Sequence, residues 1–137
     1  MAEFVLSGMP EGTNSITLLE AVAMMLKYVK LEAQKQAKGN LRDVVLTVPS
    51  YWNLKQRKFL IDAANLADMY VLSLIHENTA AALNYALSQR STNETEKILF
   101  YNVGANSFQM TLAEFRPVKS DKAKSVDTLF ILDHYGT

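Results

Sequence analysis

Apolar positions first repeat regularly after residue 16. Leu19, Val22, Ala23, Leu26, Val29 and Ala33 fall at three- and four-residue steps, the spacing of one helical stripe. Thr17 and Glu20 stand three apart just before it, as a capping box requires, so a helix is predicted from Thr17. Lys27, Lys30, Lys35 and Lys38 supply a solvated face, and Gly39-Asn40 is the stop signal. The pattern then shortens. Val44 to Val48 is a β-branched run closed by Pro49 and reads as a buried strand. Asn53 can cap a second helix through Arg57, Phe59, Ala63 and Ala67. Tyr70 to Ile75 predicts a second strand, and Thr79 can cap a third helix through Leu83 and Leu87. Residues 1–16, broken by Gly8, Pro10 and Gly12, are expected to be an irregular lead-in.

The texture changes across the polar stretch Ser88 to Lys97, which is the expected boundary. Ile98 to Tyr101 reads as a strand, and Asn102 to Asn106 as a turn-rich loop. Phe108, Met110 and Leu112 alternate along a return strand. Lys119 to Lys124 forms a charged turn, and Val126 to Leu132 a third strand. Alternating helices and strands predict an α/β fold with a mainly parallel sheet, and the last forty or so residues an antiparallel meander.

Composition narrows the function. Hydrophobic residues make up 49% of the 137 and charged residues 20%, a globular balance. Fourteen basic residues cancel 14 acidic ones, so no single-signed field draws nucleic acid or an acidic membrane, and neither is expected as a partner. No apolar run approaches the roughly 20 residues of a membrane helix. The first residues lack the cationic start and apolar core of a signal peptide. The absence of cysteine excludes thiolate metal sites and cysteine nucleophiles. His76 and His134 are the only histidines and lie far apart in sequence, which argues against a histidine zinc site or a Ser-His-Asp triad. The methionines, Met24 and Met25 among them, read as gap-filling core.

The segment Ile98 to Leu112 carries the most chemistry. A strand delivers Asn102 to its end, and Gly104, Ala105, Asn106 and Ser107 follow in a tight loop. Such a loop can turn backbone N–H groups toward a phosphate, with glycine and asparagine tolerating unusual backbone angles. The same residues also make an ordinary hairpin turn.

Three ordered stretches resemble the 70-kDa heat-shock-protein family. They are Val44 to Asn53 with Gln56-Arg57, Leu74 to Tyr85, and the loop just described. The missing proline after Glu77, the Asn93-Glu94-Thr95 insertion and the loop sequence are most similar to the large endoplasmic-reticulum, hypoxia up-regulated branch. The resemblance implies part of an actin-like ATPase (ribonuclease-H-like) fold, with residues 17–92 from the later first lobe and residues 93–137 from the first strands of the second. It implies ATP or ADP with magnesium in the full-length parent rather than in these residues alone. It also implies unfolded polypeptide as a partner through a domain outside this chain, exchange of nucleotide on a lumenal 70-kDa chaperone, and residence in the endoplasmic reticulum, with the cytoplasm as the alternative.

Roles follow residue by residue. Glu77 matches a carboxylate that orders water and hydrated magnesium; a helix-capping glutamate is the alternative. Asn102, Gly104, Ala105, Asn106 and Ser107 match the phosphate loop, but Asn102 stands where an aspartate is usual, Asn106 where a glycine is, and Gln109 where another aspartate is. Pro49 and Arg57 match a pair linked to interdomain signalling; strand termination and a solvated helix face would equally explain them. Asn93 begins a glycosylation sequon. No direct metal ligand is assigned. The family's first phosphate loop, its adenosine-binding segment and its peptide-binding domain have no counterpart in these residues, so the chain is expected to be partial and inactive as an ATPase by itself.

Overall fold

A computed structural model describes residues 3–4, 15–88, 94–118 and 126–137. Its elements, in chain order, are β1 (Glu3–Phe4), β2 (Ile16–Thr17), α1 (Leu18–Ala37), β3 (Asp43–Val48), α2 (Leu54–Leu66), β4 (Tyr70–His76), α3 (Glu77–Ser88), β5 (Glu96–Val103), β6 (Phe108–Val118) and β7 (Val126–Gly136). They form two compact units. One holds residues 1–46 and 53–74, the other 47–52 and 75–137.

In the first unit both helix starts follow from local chemistry. The Thr17 hydroxyl accepts from the Glu20 N–H at 3.3 Å, and the Glu20 carboxylate accepts from the Thr17 N–H at 2.7 Å. The bond from the Thr17 N–H foremost, and then the Thr17 hydroxyl donating to the same carboxylate at 2.8 Å, hold the Glu20 carboxyl below its ordinary range. Asn53 and Gln56 repeat the same reciprocal pair at 3.0 and 2.9 Å. The first helix ends as the Gly39-Asn40 signal suggests, except that the left-handed residue is Lys38, at φ 50°. β1 and β2 pair antiparallel inside the stretch read as irregular, because two-residue strands are too short to show alternation.

Ala64, Ala67 and Met69 are buried against Leu26, Val44, Leu46 and Val71. Four expectations fail here. Val29 is 57% exposed, while Lys30, expected in solvent, is buried. Lys30 Nζ reaches the Asp68 carbonyl at 2.6 Å and its carboxylate at 2.9 Å. Asp68 closes α2 in a left-handed conformation, φ 55°, and presents a carbonyl that needs a donor. The buried stripe therefore runs through Ala23, Leu26 and Lys30 rather than Val29. Met24 and Met25 are exposed, not core, because they lie off that stripe. Nor is β3 buried on both faces: exposed and half-covered positions alternate along it, with Val45 52% exposed. β3 pairs with β4, and α2 lies between them in the chain.

The second unit contains the predicted meander. β5, β6 and β7 form one antiparallel sheet, with register from Glu96↔Phe115 to Val103↔Phe108 on one side of β6. On the other side it runs from Gln109↔Gly136 to Val118↔Val126, with an irregularity at Leu112/Ala113. Ala113 and Phe115 are buried with Ala82 of α3, and Tyr85, Ile98, Phe100 and Leu129 pack round them. The Tyr85, Phe100 and Phe115 rings stand 5.8–6.3 Å apart in tilted or edge-on contact. α3 begins at Glu77, directly after strand residue His76, so Thr79 lies within the helix instead of capping it. The charged turn Lys119 to Lys124 lies outside the described residues, as does residues 89–93 of the polar boundary stretch. No helix among the described residues is long and apolar enough to cross a membrane.

Candidate functional site

The site is built on alternation along β6. Gln109, Thr111, Ala113 and Phe115 point to the covered face, and the chain turns polar toward the loop end of that row. Gln109 is 1% exposed, so both ends of its amide need partners. Its Oε1 accepts from the Ser50 backbone N–H at 3.2 Å, and its Nε2 donates to Glu77 Oε2. Three segments distant in sequence thus meet at one side chain: the turn after β3, the start of α3, and β6. The turn is closed by the Trp52 N–H donating to the Pro49 carbonyl at 3.2 Å. Asn78, also buried, fixes the start of α3 to β5 by donating to the Phe100 carbonyl at 3.3 Å. Glu77 occupies the first turn of α3, where the helix dipole favours a carboxylate.

Gly136 makes this packing possible. A Cβ there would stand 2.8 Å from a Tyr51 ring carbon and 3.2 Å from Gln109 Cγ, so β7 approaches the turn and the amide only without a side chain. The neighbouring Thr137 and Phe108 exchange backbone hydrogen bonds at 3.0 and 3.1 Å.

Asn102 is the cross-strand partner of Gln109, so the loop expected to bind phosphate springs from the same end of the sheet. Asn102, Gly104, Ala105 and Asn106 are exposed, and Ser107 is half-buried. The Gly104 N–H donates to the Ser107 carbonyl at 2.9 Å, which closes the hairpin and commits that N–H within the turn. The anticipated special backbone angles are absent. Lys38 and Asp68 are the positive-φ non-glycine residues among those described, and a Cβ at Gly104 would make only ordinary contacts, 3.5 Å from the Ser107 hydroxyl.

The second unit therefore gathers Pro49, Glu77 and residues 102–107. Arg57 belongs to the first unit, half-buried on α2, where its N–H donates to the Asn53 carbonyl at 3.1 Å. Asn93 lies outside the described residues. Sequence reasoning missed two arrangements. Gln109 was visible only as a departure from a family pattern, and its bond to Ser50 spans 59 residues. His76 and His134, set aside as remote, have ring centroids 5.2 Å apart. They do not complete a metal centre, since no group of three or more His, Cys, Asp or Glu stands together among the described residues.

The donor set bears on magnesium. Glu77 is the one carboxylate among the assigned residues, and Asn102, Ser107 and Gln109 are neutral. Magnesium keeps most of its water and takes one or two carboxylates plus phosphate oxygens. The set accordingly fits hydrogen bonding to a hydrated ion carried by phosphate, not a cage of protein ligands. An open cavity of about 140 Å³ lined by Leu99, Met110, Leu112 and residues 133–135 is smaller than the roughly 300 Å³ at which small-molecule sites begin.

The Hsp70 protein family model matches residues 9–129. Hypoxia up-regulated protein 1 of Xenopus tropicalis is 40% identical over 103 residues, covering 74% of this chain and 16% of that protein. The proteins of the same name from Danio rerio and Homo sapiens are 36% and 35% identical over 106 residues, covering 76% of this chain and 11% of each. The chain thus spans a small part of the length of these relatives, and it belongs to the Hsp70 family.

Proposed function

We propose that the chain is a portion of the nucleotide-binding domain of an ATP-dependent chaperone that assists protein folding in the endoplasmic reticulum. Residues 17–92 belong to the first lobe of an actin-like fold and residues 93–137 to the second. The observation that carries the reading is Glu77, held at the start of α3 by Gln109, which is itself paired across the sheet with Asn102. Glu77 orders water around a magnesium-bound phosphate. Asn102, Gly104, Ala105, Asn106 and Ser107 line the phosphate side, with Ser107 as hydroxyl donor. Pro49 and Arg57 take part in signalling to a substrate domain that handles unfolded polypeptide, and Asn93 carries a glycan.

Hydrolysis needs several charge-neutralising groups at once. The isolated 137 residues should therefore show no ATP turnover in a chaperone-free preparation, and stoichiometric turnover would overturn that expectation. A second reading is favoured by the neutral residues Asn102 and Gln109: a module that has lost hydrolysis and acts as a nucleotide-exchange partner of a lumenal chaperone. Calorimetry separates the two. Affinity for magnesium-ATP without affinity for a lumenal chaperone's ATPase domain supports the first reading, and the reverse supports the second.

A further inference from the structure

We propose that Gln109 is a positioning residue that couples the Glu77 carboxylate to the backbone of the turn Pro49–Trp52. Its amide is used in both directions, Oε1 accepting from Ser50 and Nε2 donating to Glu77. A primary amide has an acceptor at one end and donors at the other, and it is uncharged. An ionised carboxylate at this position could accept from Ser50 but not donate to Glu77, and it would repel it. An apolar side chain of the same length would leave the Ser50 N–H and the Glu77 oxygen without this buried partner. Burial removes the competing water that would let either bond be replaced cheaply. β7 passes close to the Gln109 stem and Tyr51 at Gly136, where an added Cβ would stand 3.2 Å and 2.8 Å from them. Because the same rigid group holds both ends, losing the bond at Glu77 loosens the bond at Ser50, although these two residues bond to Gln109 rather than to each other.

That Glu77 is poised for a hydrated phosphate rests on the function proposed above; the coupling itself does not. The test is amide hydrogen exchange at Ser50, measured by NMR on the 137-residue chain. Glu77→Ala should speed Ser50 exchange roughly five- to tenfold, the factor equivalent to one hydrogen bond of about 1–1.4 kcal/mol. In a Gln109→Met background, where Ser50 already exchanges fast, Glu77→Ala should add nothing. Gln109→Glu supplies the control that a space-filling role would not move: at neutral pH the carboxylate still accepts from Ser50 but repels Glu77, so Glu77→Ala should leave Ser50 protection unchanged or raise it, and not lower it. Unchanged Ser50 exchange in Glu77→Ala, or an equal effect of Glu77→Ala in all three backgrounds, overturns the coupling. Magnesium-ATP calorimetry on the same samples is read separately. Absence of nucleotide binding with the exchange pattern intact counts against the nucleotide reading alone.

Discussion

The two compact units bury their chains in different ways. In the first, the buried apolar residues that pack together are Ala64, Ala67 and Met69, and helix ends are tied by side chains three residues away. In the second, Phe115 is wholly buried among aromatic rings, and a buried amide joins segments up to 59 residues apart. Small residues let backbones approach closely, and each contributes little area. A large ring contributes much at a single position. Stability in the first unit is therefore spread over many modest contributions, while in the second it rests on a few residues.

The largest expected effect tests that concentration. Phe115→Ala should cost about 3–5 kcal/mol in denaturant unfolding, with exchange protection lost first at the amides of β5 and β6. A cost under about 1 kcal/mol would mean that the ring cluster is not the centre of the second unit. Next, Ala64→Leu asks whether the first unit needs small residues. Overpacking at this fully buried position should cost about 1–3 kcal/mol. A neutral result would show that the close approach is incidental. Asn53→Ala should cost about 1 kcal/mol and fray α2 from its first turn, seen as faster exchange at Gln56 and Arg57. A glycine there should lose only a few tenths, so the pair of variants isolates the cap.

The smallest effect is in acid. Hydrogen bonding and charge from Lys30 hold the Asp68 carboxyl below its ordinary value of 3.8. The unfolded chain then binds the proton more readily than the folded one. The contribution is present above that ordinary value and is lost as pH falls through the lower, folded one. Asp68→Asn should flatten the acid limb of a stability–pH curve slightly, because the carboxylate is exposed and screened. An unchanged limb would show that Lys30 is held by the Asp68 carbonyl alone.

Membership of the Hsp70 family was legible because it rests on ordered sequence stretches, and the comparisons agree with it. Both capping boxes were legible for a simpler reason: donor and acceptor lie three residues apart, so the helix turn itself brings them together. The meander was legible from alternation. Within the candidate site, Glu77 and the loop 102–107 were named from sequence, and β5 and β6 do place that loop beside the row that carries Gln109. Other features depended on packing. Lys30 reads as a solvent lysine until the carbonyl of a left-handed Asp68 is placed over it. The two histidines read as remote until β4 and β7 bring their rings together. Gln109 reads as a lost carboxylate until Ser50 and Glu77 appear at its two ends. Sequence alone determined what is local: the two capping boxes, the alternation of the meander, and the family. Tertiary structure alone decided which polar groups are buried and with whom, because burial sets the need for a partner and only the folded chain sets which partner is within reach.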